Sequence, residues 1–262
     1  MEFFAAKFQI FTVLFARILA FTSVSPVFSG EVVSFFYRVA LAFIISLIVT
    51  PVTPMSKEFY TMVQSNYFIL ILEQIFMGFL IGISLQILFG AFQMAGEFFS
   101  VQMGFGISEV YDPLSQVSLP LIGTFNNLFA LLIFFVSHAH ILVIEAVVFS
   151  FEKIPYFPHE CLMNGKIQKG ILEFLIFLSS SMFIIAMKIA LPVMGCIFLV
   201  SLTLGILGKA APQMNIMMLG FPLKIFVAFI VLAWFAPVFI ELMRNQFDTF
   251  FQHLDYIIKN WS

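Results

Sequence analysis

The sequence predicts an all-α membrane protein of about six long hydrophobic helices, arranged as kinked hairpins. Three observations lead there. Hydrophobic residues make up 62% of the 262 positions and charged residues only 10%, against roughly 25% charged in a soluble domain. The mean hydropathy is +1.09. The apolar residues also fall into long runs separated by turn-forming residues, and a bilayer lets such runs stay exposed where water would not.

The runs cover 3–25, 36–52, 66–96, 121–150, 171–208 and 219–243. A spanning helix needs roughly 20 residues, so the longest of these must tilt, kink or extend beyond the bilayer. The first run contains Arg17 and lacks a nearby small-residue cleavage signal, which predicts a retained helix and not a removed leader. Pro26 and Gly30 separate it from the second run, which Pro51 and Pro54 close. Asp112-Pro113 and Pro120 precede the fourth run, and Pro155, Pro158 and Gly165 follow it. Pro212 and Asn215 divide the last two. Beyond them Phe247, Phe250, Phe251, Leu254, Ile257, Ile258 and Trp261 recur at helical spacing among polar residues, predicting a C-terminal amphipathic helix.

The third run carries an unusual face. On a helix from Gly78 to Ser100, the residues Gly78, Gly82, Gln86, Gly90, Gln93, Gly96, Glu97 and Ser100 share one third of the circumference. Gly78 and Gly82 have the spacing that lets membrane helices approach closely. Amides and a carboxylate would be costly against lipid, so this face meets protein or water. Arg17, Glu73, Glu145, Glu173 and Lys188 also sit deep in apolar runs, which suits a wet interior or a large assembly.

Two further stretches are read as loop-borne. One runs from Ala95-Gly96-Glu97 through Gln102-Met103-Gly104 to Asp112-Pro113, without Lys or Arg. Irregular backbone at membrane depth requires protein or a water-filled cavity around it. The other runs from Gly205 to Lys224. There Lys209, Pro212, Gln213, Asn215, Gly220, Pro222 and Lys224 read as the tip of a helical hairpin.

Chemistry is poorly supported. His138 and His140, taken as helical, face apart and cannot share a metal. His159-Glu160 begins a zinc-protease pattern, but Met163 stands where its second histidine belongs. Gly104-Phe105-Gly106 lacks the third glycine of a nucleotide loop. The net charge of −2 offers no basic patch for nucleic acid, and Cys161 and Cys196 make no disulfide framework. No enzyme activity and no cofactor are expected.

Taken in order, these fragments resemble the FliR/SctT family of type III secretion export-gate subunits. The resemblance is carried by Ala-Pro-Gln-Met-Asn at 211–215 and Leu-Gly-Phe-Pro-Leu-Lys at 219–224. It is carried also by Ala95–Glu97, Gln102–Gly104 and Asp112-Pro113, with Arg17, Pro26, Arg38, Pro51, Glu73, Gly78, Gly82, Ser150-Phe151 and Pro155. One departure is clear: the family usually has Asn-Gly-His where this chain has His138-Ala139-His140, so only His140 carries over.

The resemblance implies a bacterial inner-membrane protein of the flagellar basal body. It would have a FliP-like part over 1–170 and a FliQ-like hairpin plus amphipathic helix over 171–262. Its implied partners are FliP-like, FliQ-like and FlhB-like subunits, membrane lipids and, in passing, unfolded exported proteins. It further implies a plug loop near 104–122 in which Ile107, Val110 and Tyr111 close the pore, with Gly78, Gly82, Gln86, Gly90, Gly96 and Glu97 in helix packing. The alternatives are the homologous subunit of a virulence injectisome and a secondary transporter with a midplane site at Glu73, Glu145 or Lys188. Positive charges counted over six spans put both termini in the cytoplasm, whereas the resemblance puts the Lys209–Lys224 tip near the cytoplasmic entrance.

Overall fold

In the computed structural model of the protein, the structure describes residues 2–28, 33–51, 59, 63, 66–105, 121–156, 166–213 and 216–261. Seven helices form among them: α1 Glu2–Val24, α2 Phe35–Val49, α3 Tyr67–Met103, α4 Leu121–Val136, α5 Ala139–Lys153, α6 Lys166–Ala210 and α7 Ile216–Trp261. Four are long and apolar enough to cross a membrane, and a fifth span results if the bent pair α4 and α5 is taken together. The chain is thus an all-α membrane protein.

The helices differ from the sequence expectation in three places. The fourth apolar run is two helices, because His138 adopts a left-handed backbone with φ 57 and interrupts the ladder. The third extends to Met103, so Ala95–Met103, read above as loop-borne, lies within α3. No proline intervenes before Gly104, and a helix continues until a residue can leave it. The C-terminal amphipathic stretch is the continuation of α7 and not a separate helix. Nor are the helices six equivalent spans, since α2 has only 15 residues.

At about 1.5 Å per residue the 45 residues of α6 and 46 of α7 run to about 65–70 Å, twice the roughly 30 Å hydrocarbon core of a bilayer. Both contain proline: Pro192 in α6, Pro222 and Pro237 in α7. Each proline removes one backbone donor and crowds the preceding turn, which bends a helix without ending it in a membrane setting. Hydroxyls within the apolar helices bond back to their own turns, as Ser46 Oγ donates to the Ala42 carbonyl at 2.6 Å and Ser201 Oγ to the Ile197 carbonyl at 3.0 Å. This satisfies the hydroxyl where water is absent.

The chain divides into two compact units. The first comprises 1–88, 138–179 and 248–262. Its core gathers Ile10, Val13, Leu14, Phe59, Val63, Leu70 and Phe151, and the edge of Phe43 on α2 meets Phe11 on α1 at 5.3 Å. The second comprises 89–137 and 180–247. Phe89, Phe92, Phe134 and Phe247 interlock there, with ring centroids between 5.2 and 6.1 Å. The cluster ties α3, α4 and α7 by mostly edge-to-face aromatic contacts.

Candidate functional site

In the first unit α3 lies on α1 through its glycines. A Cβ at Gly78 would overlap the Arg17 carbonyl, and one at Gly82 would stand 2.9 Å from Val24 Cβ. Glycine is required because the two backbones touch. The same turn of α1 presents Arg17, which is wholly buried. Its guanidinium donates to Ser150 Oγ at 2.9 Å and to the Ile154 carbonyl at 2.8 Å, and lies 3.8 Å over the Phe151 ring. Gln74 donates to the next carbonyl, that of Pro155, at 3.0 Å. A planar, forked donor suits this arrangement of two acceptors and a ring face. The node joins α1, α3 and the C-terminal end of α5, where exposed carbonyls favour a cation.

In the second unit the upper half of α3 crosses α4 at two glycines. A Cβ at Gly96 would lie 2.7 Å from Gly123 Cα, and one at Gly123 would lie 2.9 Å from Glu97 Cγ. Around this crossing Gln93 Nε2 donates to Glu97 Oε1 at 3.0 Å, and Asn126 Nδ2 donates to the Phe92 carbonyl. The polar groups of α3 thereby meet polar or glycine positions of α4. A Cβ at Gly90 would stand 3.3 Å from Met182 Cε of α6. Gln86 is exposed. Beside the crossing lies a cavity of about 300 Å³, walled by Phe99, Ile122, Phe125, Phe129 and Phe239 among others, with Asn126 its one polar lining residue among those described. Such walls suit hydrocarbon better than water.

α3 ends at Gly104, which has φ 98, and the Phe221 ring near the start of α7 packs on that glycine. The hairpin between α6 and α7 exposes Lys209, Pro212, Gln213 and Pro222, half-buries Lys224 and buries Gly220. Ile107, Val110 and Tyr111, like Asn215, lie outside the described residues. Sequence reasoning passed over Gly123, Asn126 and Phe221. The signal for the first two was a small and an amide residue at the polar start of α4. Phe221 stood in plain view inside Leu-Gly-Phe-Pro. The two histidines also need correction: His138 is not helical, and the rings lie 6.1 Å apart. Among the described residues no group of three potential ligands is placed to hold a metal.

The family model described as bacterial export proteins, family 1, matches residues 8–250. The chain belongs to that family. It is 34% identical to the flagellar biosynthetic protein FliR of Bacillus subtilis, over 92% of this chain and 91% of that one. It is 29% identical to FliR of Escherichia coli over 93% and 90%. It is also 29% identical to the surface presentation of antigens protein SpaR of Shigella sonnei, over 71% and 72%. As a bacterial export protein it is a multi-pass component of the inner membrane and a subunit of a type III export gate. His138 is left-handed, a conformation that Asn and His adopt more readily than most side chains.

Proposed function

We propose that this chain helps to form and to close the protein-conducting pore of a flagellar type III export gate, together with FliP-like, FliQ-like and FlhB-like subunits. The observation that carries the reading is the match along nearly the whole chain to an export-protein family. Two features support it. The most apolar windows of α6 and α7 are only 28% and 17% buried within the chain, which leaves long helix faces for neighbouring subunits and lipid. The polar groups of α3 are costly against lipid and suit a protein- or water-facing position.

In this reading Ile107, Val110 and Tyr111 plug the pore, and an apolar constriction blocks ions by excluding water. The Lys209–Lys224 tip stands near the cytoplasmic entrance. Residues 1–170 form the FliP-like part and 171–262 the FliQ-like part. The chain does no chemistry itself and takes no cofactor. Replacing Ile107, Val110 and Tyr111 with glycine should raise ion leak through the assembled gate, and an unchanged conductance would remove the plug assignment. Purification in mild detergent should bring FliP-like and FliQ-like proteins with it; their absence would remove the partnership. The SpaR similarity supports a second reading, the injectisome counterpart. Restored motility in a flagellar strain lacking its own subunit separates the two.

A further inference from the structure

The C-terminal end of α3 is closed in a specific way. Gly104 N–H donates to the Val101 carbonyl at 3.0 Å and Phe105 N–H donates to the Ser100 carbonyl at 3.2 Å. With φ 98 at Gly104, this is the paired-bond ending of a helix whose next residue is left-handed. The Phe221 ring occupies the place where a side chain at 104 would stand, since a Cβ there would overlap Phe221 Cδ1 and Cε1. Two independent demands therefore meet at one glycine. Its φ disfavours any Cβ, and the ring leaves no room for one.

Phe221 follows Gly220, which is buried and where a Cβ would make ordinary contact with Leu204 Cδ1 of α6 at 3.4 Å. Pro222 comes next and restricts the backbone on the far side. The paired helices α6 and α7 thus present the ring, and the ring rests on main chain. Neither surface can yield by changing a rotamer at Gly104.

We infer that Phe221 is a positioning residue for the gate: its ring, seated on Gly104, sets the direction in which the chain leaves α3 and couples that exit to the α6–α7 hairpin. The inference rests on the plug reading above, because the exit from α3 is where the proposed plug begins. It brings together two stretches that sequence reasoning treated as separate, Gln102–Gly104 and Leu219–Lys224.

The test measures ion leak through the membrane-assembled gate, with the Ile107, Val110 and Tyr111 to glycine variant as reference. Phe221→Ala should leak several-fold above native while remaining in the complex at native amounts. Gly104→Ala should also leak. The double variant should leak less than the two single leaks added together, because both changes break one contact. Leak with native amounts of assembled complex is the readout that a loss of folding would not give. Leaks that add in the double variant overturn the coupling. A leaking reference with a silent Phe221→Ala overturns the positioning role and leaves the plug reading standing, whereas a silent reference overturns both. Should Phe221→Ala be lost from the membrane, Phe221→Leu carries the same measurement, and loss of both variants assigns the residue to folding instead.

Discussion

Gly78→Ala is the smallest change that tests the α1–α3 contact. The added Cβ would overlap the Arg17 carbonyl oxygen and stand 3.0 Å from Ala20 Cβ. The main obstacle is backbone, so α1 and α3 must separate. Gly82, one turn on, is a matched control: its neighbours are Val24 Cβ at 2.9 Å and the Phe21 carbonyl at 3.3 Å, a milder overlap. Alanine gains about 1 kcal/mol of helix propensity at either site. Overpacking costs about 1–3 kcal/mol. At Gly78 it also displaces the backbone that aims Arg17, whose bonds to Ser150 and Ile154 are worth about 1.5–3 kcal/mol each. With one bond lost, Gly78→Ala should cost about 2–5 kcal/mol net, and Gly82→Ala should stay within about 1 kcal/mol of native. For a chain of this size that lowers Tm by about 5–15 °C and less than about 4 °C respectively. The assay is the loss of the monodisperse gel-filtration peak after heating in mild detergent. Equal shifts for the two variants, or no shift at Gly78, would refute the argument.

Two further substitutions use the same assay. Arg17→Ala removes the bond to Ser150 and leaves the Ile154 carbonyl without its donor, and should cost about 1.5–3 kcal/mol for each bond lost. Arg17→Lys keeps the charge but not the fork or the stack on Phe151, so it should recover only part of the loss; full recovery would show that charge alone matters. At His138, where φ is 57, asparagine should be neutral within about 0.5 kcal/mol, while β-branched valine should cost about 1–2 kcal/mol. Equal stability of these two variants would mean that the left-handed turn imposes no constraint.

Most of the helical content was legible because apolar runs of this length have one economical solution in a bilayer. The glycine face of α3 was legible too, since its spacing is a property of any helix. Its partners were not. Gly78 meets α1, Gly90 meets α6 and Gly96 meets α4, so one sequence face serves three contacts and Gln86 serves none of them. Helix limits were readable in part. Gly104 carried a stop signal that was overlooked in favour of turn chemistry further on, and the break at His138 had no proline to announce it.

Composition and local spacing alone determined that this chain is a set of membrane helices, and the resemblance of its ordered fragments pointed to its family. The first follows from short-range physics, hydrophobic length and residues within a turn of each other; the second rests on likeness of motifs. Tertiary structure alone decided that Arg17 reaches Ser150 and Ile154, more than a hundred residues away, and that Phe221 settles on Gly104. A buried cation takes whichever acceptors packing brings to it, and a ring fills whatever gap a glycine leaves. Neither requirement names its partner along the chain.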